Sequence, residues 1–86
     1  MYKIEYTDLF ILDMSDILKY IGITNYIKLE NSIENIFELL LINPKMGKEI
    51  EFGDREIIES KYKYQIRYEL VGKTISLLMI YKFKNR

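Results

Sequence analysis

The chain has 86 residues, 49% hydrophobic and 30% charged, which suits one folded domain over residues 1–86 and excludes a two-domain enzyme. Its 13 basic and 13 acidic residues cancel to a net charge of zero, which argues against a strongly basic nucleic-acid binder. Cysteine and histidine are absent, so disulfides, thiolate metal sites and imidazole-dependent triads are excluded, and we expect neither a metal nor a cofactor.

The first segment is predicted to be a strand. Residues 2–7 alternate apolar and polar side chains, the period of a half-buried strand. This opening lacks the layout of a secretory signal, and no apolar run in the chain reaches the roughly 18 to 20 residues that cross a bilayer. We therefore expect a cytoplasmic protein without a membrane partner.

Two helices are predicted next. Apolar residues recur at helical spacing from Asp8, the expected N-cap, to about Ile21, and Gly22 supplies the left-handed stop. A second helix is expected from near Asn25 until the Asn-Pro step at Pro44, because the residue before proline is disfavoured in a helix.

The second half is predicted to form three strands. Arg55 to Ser60 is a short candidate strand, and Tyr62 to Val71 alternates apolar with polar side chains. Gly72 fits the first central position of a two-residue hairpin turn that leads into a mostly apolar strand at residues 74–82. The sequence thus predicts an α+β domain of order β-α-α-β-β-β, with two N-terminal helices packed on one face of a small antiparallel sheet.

The predicted core consists of apolar side chains on the inner stripes of these elements. They are Ile4, Phe10, Met14, Ile17, Ile21, Leu29, Ile33, Ile36, Phe37, Leu40, Tyr64, Ile66, Tyr68, Ile75 and Leu77.

The neutral total hides an uneven distribution of charge. Residues 1–43 carry seven acids and three bases, whereas residues 44–86 carry ten bases and six acids. Gln65, Arg67 and Glu69 share the polar face of their strand, on the side of the sheet that the helices would leave open. We expect this open face to be basic and to hold any functional site, although such a face is ordinarily a solvated surface.

Segments along essentially the whole chain resemble, in order and spacing, the RelE/ParE toxin superfamily of type II toxin–antitoxin systems, which includes plasmid stabilisation toxins. The matching segments are the strand at residues 2–6, the helix at residues 8–21, the Pro-x-x-Gly break at residues 44–47, the strand start at residues 55–57, the strand at residues 64–68, and the last strand at residues 75–84 with its basic end.

The resemblance implies a small cytoplasmic toxin that a cognate antitoxin protein wraps and silences. It implies one of two targets. RelE-like members are metal-independent endoribonucleases that cut messenger RNA on the ribosome (mRNA interferases), whereas ParE-like members inhibit DNA gyrase. RNA cleavage without a metal requires a base for the ribose 2′-hydroxyl, a cation for the developing phosphorane charge and an acid for the leaving oxygen.

The resemblance also suggests site residues in case the chain cuts RNA. The candidate catalytic residues are Arg67, Arg55 and Tyr81. The candidate RNA-binding and phosphate-binding residues are Gln65, Lys61, Lys63, Lys82, Lys84 and Arg86.

The chain departs from the RelE-like pattern at several positions. Gln65 stands where these enzymes have an arginine, and Glu56 and Ile58 stand where their paired lysines would fall. Tyr81 or Lys82 lies about where many relatives have histidine. These departures leave open a weakened nuclease, a ParE-like inhibitor of gyrase, and a catalytically degenerate member that acts only as a binding module.

Overall fold

The computed structural model describes residues 1–82, which form two helices and a five-stranded sheet. In chain order the elements are β1 (Lys3–Tyr6), α1 (Asp8–Ile21), α2 (Ile23–Ile42), β2 (Lys48–Glu49), β3 (Arg55–Glu59), β4 (Tyr64–Val71) and β5 (Thr74–Lys82), with a 3-10 turn at Glu51–Gly53. The predicted order is confirmed, and the two-residue strand β2 is added to it.

The helix boundaries follow local capping chemistry. Thr7, not Asp8, is the N-cap of α1, because the Thr7 side chain accepts a hydrogen bond of 3.2 Å from the backbone N–H of Phe10. Gly22, at φ 84°, ends α1 and directly precedes α2, which therefore begins at Ile23 rather than near Asn25. Within residues 1–82, neither helix is both long and apolar enough to cross a membrane.

The sheet is mixed, which corrects the predicted antiparallel arrangement. Its strand order is β1-β5-β4-β3-β2, and β1 runs parallel to β5 while the other neighbours are antiparallel. Parallel neighbours need a long crossover connection, and here both helices and the rest of the sheet lie between the two strands in sequence. The Thr7 hydroxyl strengthens this junction by donating to the Leu77 carbonyl at 2.7 Å.

The β4–β5 hairpin contains a bulge. Tyr68 lies opposite Leu77 whereas Arg67 lies opposite Met79, so Leu78 is the extra residue. A bulge reverses which side chains face the core beyond that point, because side chains alternate along a strand.

The reversal determines the faces of the last described residues. Ile80 points to the inner face, which the helices cover, and Tyr81 points to the outer, open face. Lys82 returns to the inner side. The backbone N–H of Ile80 is bound by the Asp13 carboxylate of α1 at 3.1 Å, so the bulge also ties β5 to the helix layer.

The core lies between the helices and the inner face. Among the predicted core residues, the buried ones are Phe10, Leu29, Ile33, Phe37, Leu40, Tyr64, Ile66, Tyr68, Ile75 and Leu77. Partly buried side chains that pack against them are Ile4, Met14, Ile17, Ile21 and Ile36. The prediction missed Ile80, which is 2% exposed, because the alternation before the bulge places that position on the outer face.

Candidate functional site

Over residues 1–82 the outer sheet face is not basic, which corrects the expectation from the charge distribution. The register puts three bases and four acids on or beside this face within the described part of the chain: Lys3, Lys48, Arg67, Glu5, Asp54, Glu56 and Glu69. The reason lies in the strands themselves, because β3 contributes a carboxylate opposite Arg67 and the bulge turns Lys82 away from this face.

Arg67 occupies the centre of this face and is bound by Asp54. Its Nε and Nη2 atoms lie 2.9 and 2.8 Å from the same carboxylate oxygen of Asp54. The two side chains are only 21% and 12% exposed, so water screens the pair little. The charge of the arginine is therefore neutralised within the protein.

Tyr81 belongs to the same cluster. Its hydroxyl donates to the Glu56 carboxylate at 3.2 Å, and Glu56 lies directly opposite Arg67 on β3. Burial, and then the charge and hydrogen bond of Glu56, raise the pKa of Tyr81 above its usual value near 10. We call Asp54, Glu56, Arg67 and Tyr81 the outer-face cluster.

Arg55 does not join this cluster. It lies opposite Tyr68 on β3, and its Nη1 atom donates to the carbonyls of Lys45 and Gly47 at 3.1 and 2.8 Å. Gln65 lies on the outer face beside Tyr81. The structure thus brings Arg67, Tyr81 and Gln65 together and places Arg55 against the loop that follows α2.

Tyr68 contacts the same loop, and this contact explains why residue 47 is a glycine. The Tyr68 hydroxyl donates to the Pro44 carbonyl at 2.8 Å and accepts from the Gly47 N–H at 2.9 Å. A Cβ at position 47 would lie 2.5 Å from the Tyr68 oxygen, so glycine is required for this close approach. Arg55 therefore has a structural role, because the two backbone carbonyls to which it donates both belong to this loop.

A second polar region lies at the end of the sheet next to the turn between α1 and α2. Lys61, Lys63 and Lys82 line one hollow of about 380 Å³, together with Ile21, Asn25, Tyr62 and Tyr64. We call the three lysines the lysine corner. All three are exposed, and within residues 1–82 none forms an ion pair and no carboxylate lines the hollow. Lys84 and Arg86 lie outside the described residues.

The lysine corner is built on tyrosine rings. The Nζ atom of Lys82 donates to the Tyr62 carbonyl at 2.7 Å and lies 4.7 Å from the centre of the Tyr64 ring. Lys61 lies 5.4 Å from the centre of the Tyr62 ring. These contacts hold the ammonium groups of Lys82 and Lys61 near the hollow.

A buried carboxylate shapes the turn that carries Lys61 and Lys63. Glu59 is 1% exposed and accepts hydrogen bonds from the backbone N–H groups of Lys61 and Tyr62 at 3.0 and 2.9 Å and from the Ser32 hydroxyl at 2.7 Å. Lys63 adopts a left-handed conformation, φ 69°, and its N–H donates to the Glu59 carbonyl. This turn delays the start of β4 to Tyr64, whereas the sequence predicts Tyr62.

Sequence reasoning missed three residues of these two regions. Asp54 and Glu59 look like ordinary charges in a charged segment, and only the folded strands show that Arg67 and the 61–62 turn bind them. Tyr20 falls outside the predicted core of α1 and is 89% exposed. It lines a second hollow of about 380 Å³, adjoining the first, with Asp16, Ile17, Tyr64 and Lys82.

A third concave region is apolar and contains none of the predicted site residues. It is a groove of about 330 Å³ between α1 and α2, lined mainly by apolar side chains, with Glu30 and Glu34 at its edge. Burial, followed by the nearby Glu34 and Glu30 charges, raises the pKa of Tyr6, and burial and Glu30 raise that of Tyr26. The groove is therefore apolar with an acidic edge.

Comparisons with known proteins agree on the fold. The sequence matches no protein-family model, and no curated protein is detectably related to it. The structure is similar to a chain of the chromosomal ParDE TA system from P. aeruginosa, with a TM-score of 0.79 and 21% identity over 98% of both chains. It is also similar to YafQ from E. coli strain BL21(DE3), with a TM-score of 0.66 and 16% identity over 95% of this chain and 93% of that one. The chain therefore shares its α+β fold with these two proteins, and this is the fold that the sequence predicts.

Proposed function

We propose that this chain is the toxin of a type II toxin–antitoxin pair and that it arrests growth by binding its target rather than by cutting RNA. The observation that supports the first part is the similarity to a ParDE chain over 98% of both chains. The target implied by the ParE-like half of the resemblance is DNA gyrase. A cytoplasmic location belongs to the same proposal, since gyrase and ribosomes are there.

The outer-face cluster supports binding over cleavage. Cleavage without a metal needs an available cation and groups that exchange protons near neutral pH. Arg67 is neutralised by Asp54, and Glu56 brings a further negative charge to the face that an RNA phosphate would have to approach. The Tyr81 phenol, with a pKa raised above its usual value near 10, is protonated at neutral pH, so Tyr81 is a poor base there.

We assign the cognate antitoxin to the groove between α1 and α2. Exposed apolar side chains line it, with Ile11 54% and Tyr6 53% exposed, and Glu30 and Glu34 make its edge acidic. An antitoxin segment with an apolar stripe flanked by lysine or arginine would match both properties. Ile11→Glu should weaken co-purification with the antitoxin, whereas Ile58→Glu, at a similarly exposed isoleucine on β3, should not.

A growth assay tests the proposal. Induction of the chain without its antitoxin should stop growth, and the purified chain should inhibit supercoiling by gyrase. Message ends mapped in the arrested cells should match those of uninduced cells. Normal growth on induction would remove the toxin assignment and favour a degenerate binding module.

Two variants separate binding from cleavage. Tyr81→Phe removes the phenol, and Arg67→Ala, once circular dichroism shows that it is folded, removes the cation. Both should arrest growth as wild type does. New message ends that disappear in these variants would establish the RelE-like nuclease instead.

A further inference from the structure

We infer that the lysine corner and Tyr20 form a binding site for single-stranded nucleic acid, with lysines on the phosphates and Tyr20 as a stacking surface for a base. This site lies on the helix side of the sheet, away from the outer-face cluster. Nucleic-acid binding here does not require growth arrest, so its failure and that of the proposed function are separate results.

The first support is charge. Lys61, Lys63 and Lys82 converge on one hollow although they come from a turn and from the end of β5. Among the described residues no carboxylate lines this hollow: Glu59, beside the turn, is 1% exposed and hydrogen-bonded, and Asp16 lines only the adjoining hollow. A cationic hollow of this kind attracts phosphate groups, with a strength that falls as salt rises.

The second support is preorganisation. Glu59 fixes the 61–62 turn through two backbone hydrogen bonds, and Lys63 is held in a left-handed conformation that lysine adopts at a cost. Lys82 is held by the Tyr62 carbonyl and the Tyr64 ring. The backbone of Lys61 and Lys63 and the ammonium group of Lys82 are therefore in place before a ligand arrives, which reduces the entropy lost on binding.

The third support is the exposed aromatic ring. Tyr20 is 89% exposed and lines the hollow that shares Tyr64 and Lys82 with the first one. Base stacking on a tyrosine contributes substantially to single-strand binding, and it requires an unpaired base. An acidic polypeptide would use the lysines but gain little from this ring, and a duplex would keep its bases stacked inside.

Fluorescence anisotropy with labelled oligonucleotides of about 12 nucleotides, one of uridine and one of deoxythymidine, tests the site. Wild type should bind at low salt, with equal affinities pointing to the shared phosphodiester chemistry and a preference for the uridine strand pointing to RNA. The triple variant Lys61→Gln, Lys63→Gln, Lys82→Gln should bind at least about tenfold more weakly. It should also lower the slope of log affinity against log salt by about 2, since each phosphate contact to a single strand contributes about 0.7.

A matched triple variant is available elsewhere. Lys3→Gln, Lys48→Gln, Lys73→Gln removes the same charge from exposed lysines, and Lys73 lies over the Tyr2 ring at 5.2 Å much as Lys82 lies over Tyr64. Lys73 is at the other end of β5, roughly 30 Å away by the rise of a strand. This control should change affinity less than twofold.

Tyr20 is tested separately. Tyr20→Ala should weaken binding about tenfold, and Tyr20→Phe, which keeps the ring, should restore it. Equal losses in the two triple variants, no binding by wild type at low salt, or an equally tight and equally lysine-dependent complex with a poly-glutamate peptide would each overturn the assignment.

Discussion

The outer-face cluster lies on the open face of the sheet, and the lysine corner lies on the helix side at the end of the sheet. The charged side chains of the two regions have different kinds of partner. On the outer face Arg67 and Asp54 neutralise each other, and Tyr81 donates to Glu56. At the corner Lys82 binds a carbonyl and lies over a tyrosine ring, and Lys61 lies near a second ring, so neither lysine contacts a negative charge in these interactions.

The bulge at Leu78 creates this difference. Without the extra residue, alternation from Leu77 would place Tyr81 inside and Lys82 outside, where Lys82 would join Arg67 and make the outer face basic. With it, the cation moves to the helix side. A polar group that is satisfied within the fold mainly stabilises it, whereas a cation without an anionic partner remains available to a ligand.

The largest expected effect comes from removing the carboxylate under the corner. Glu59→Ala leaves two backbone N–H groups and the Ser32 hydroxyl without their partner, and it should lower the free energy of unfolding by about 3 kcal/mol. Glu56→Ala, on the same strand, loses one exposed hydrogen bond of 3.2 Å and should cost less than about 1 kcal/mol. Urea denaturation measures both. Equal losses would show that Glu59 does not organise the turn.

The next effect concerns the outer-face cluster. A double-mutant cycle of Arg67→Ala and Asp54→Ala should give a coupling energy of about 2 kcal/mol, because the pair is mostly buried and charge-assisted. The exposed pair of Lys3 and Glu5, at 3.7 Å, supplies the comparison and should couple by less than about 0.5 kcal/mol. Similar coupling in the two cycles would mean that Arg67 is as available to a ligand as a surface lysine.

The two regions also differ in how far the sequence predicts them. The element order and most of the core follow from periodicity, because β4 alternates cleanly and the helices carry continuous apolar stripes. Periodicity does not predict which face of the sheet Tyr81 and Lys82 occupy, because their faces depend on a one-residue bulge that cannot be recognised in an apolar sequence. Periodicity also does not predict that β1 runs parallel to β5, since apolar and polar residues alternate in the same way in parallel and antiparallel strands.

The candidate site, too, is predicted only in part from the sequence. The sequence identifies Arg67 and the lysines as cations, and charge alone suggests phosphate binding. Whether a cation is neutralised depends on long-range neighbours, such as Asp54 beside Arg67, 13 residues away in the chain. The sequence therefore locates the charges, and the fold decides which of them face solvent without an acid.

Alkaline pH gives a third comparison. Burial raises the pKa of Tyr64 near the corner and of Tyr81 in the cluster, so both stabilise the fold fully below about pH 10, and this stabilisation is lost as pH rises above that value. The sign follows because the unfolded chain loses its phenol protons first. In Glu56→Gln the phenolate absorbance of Tyr81 should appear at lower pH than in wild type, whereas Glu69→Gln should leave the titration unchanged. Identical curves for Glu56→Gln and wild type would exclude Glu56 as a cause.

The smallest expected effect tests whether the corner is held under strain. Lys63 has φ 69°, a conformation that costs a lysine roughly 1–2 kcal/mol but a glycine almost nothing. Lys63→Gly should therefore stabilise the fold by about 0.5 kcal/mol after the extra entropy of glycine in the unfolded chain is subtracted. Lys61→Gly, two residues earlier and outside the left-handed region, should instead destabilise it by about 0.5–1 kcal/mol. Thermal unfolding of the two variants under the same conditions measures the difference in sign, and a loss of stability in both would show that the turn holds Lys63 without strain.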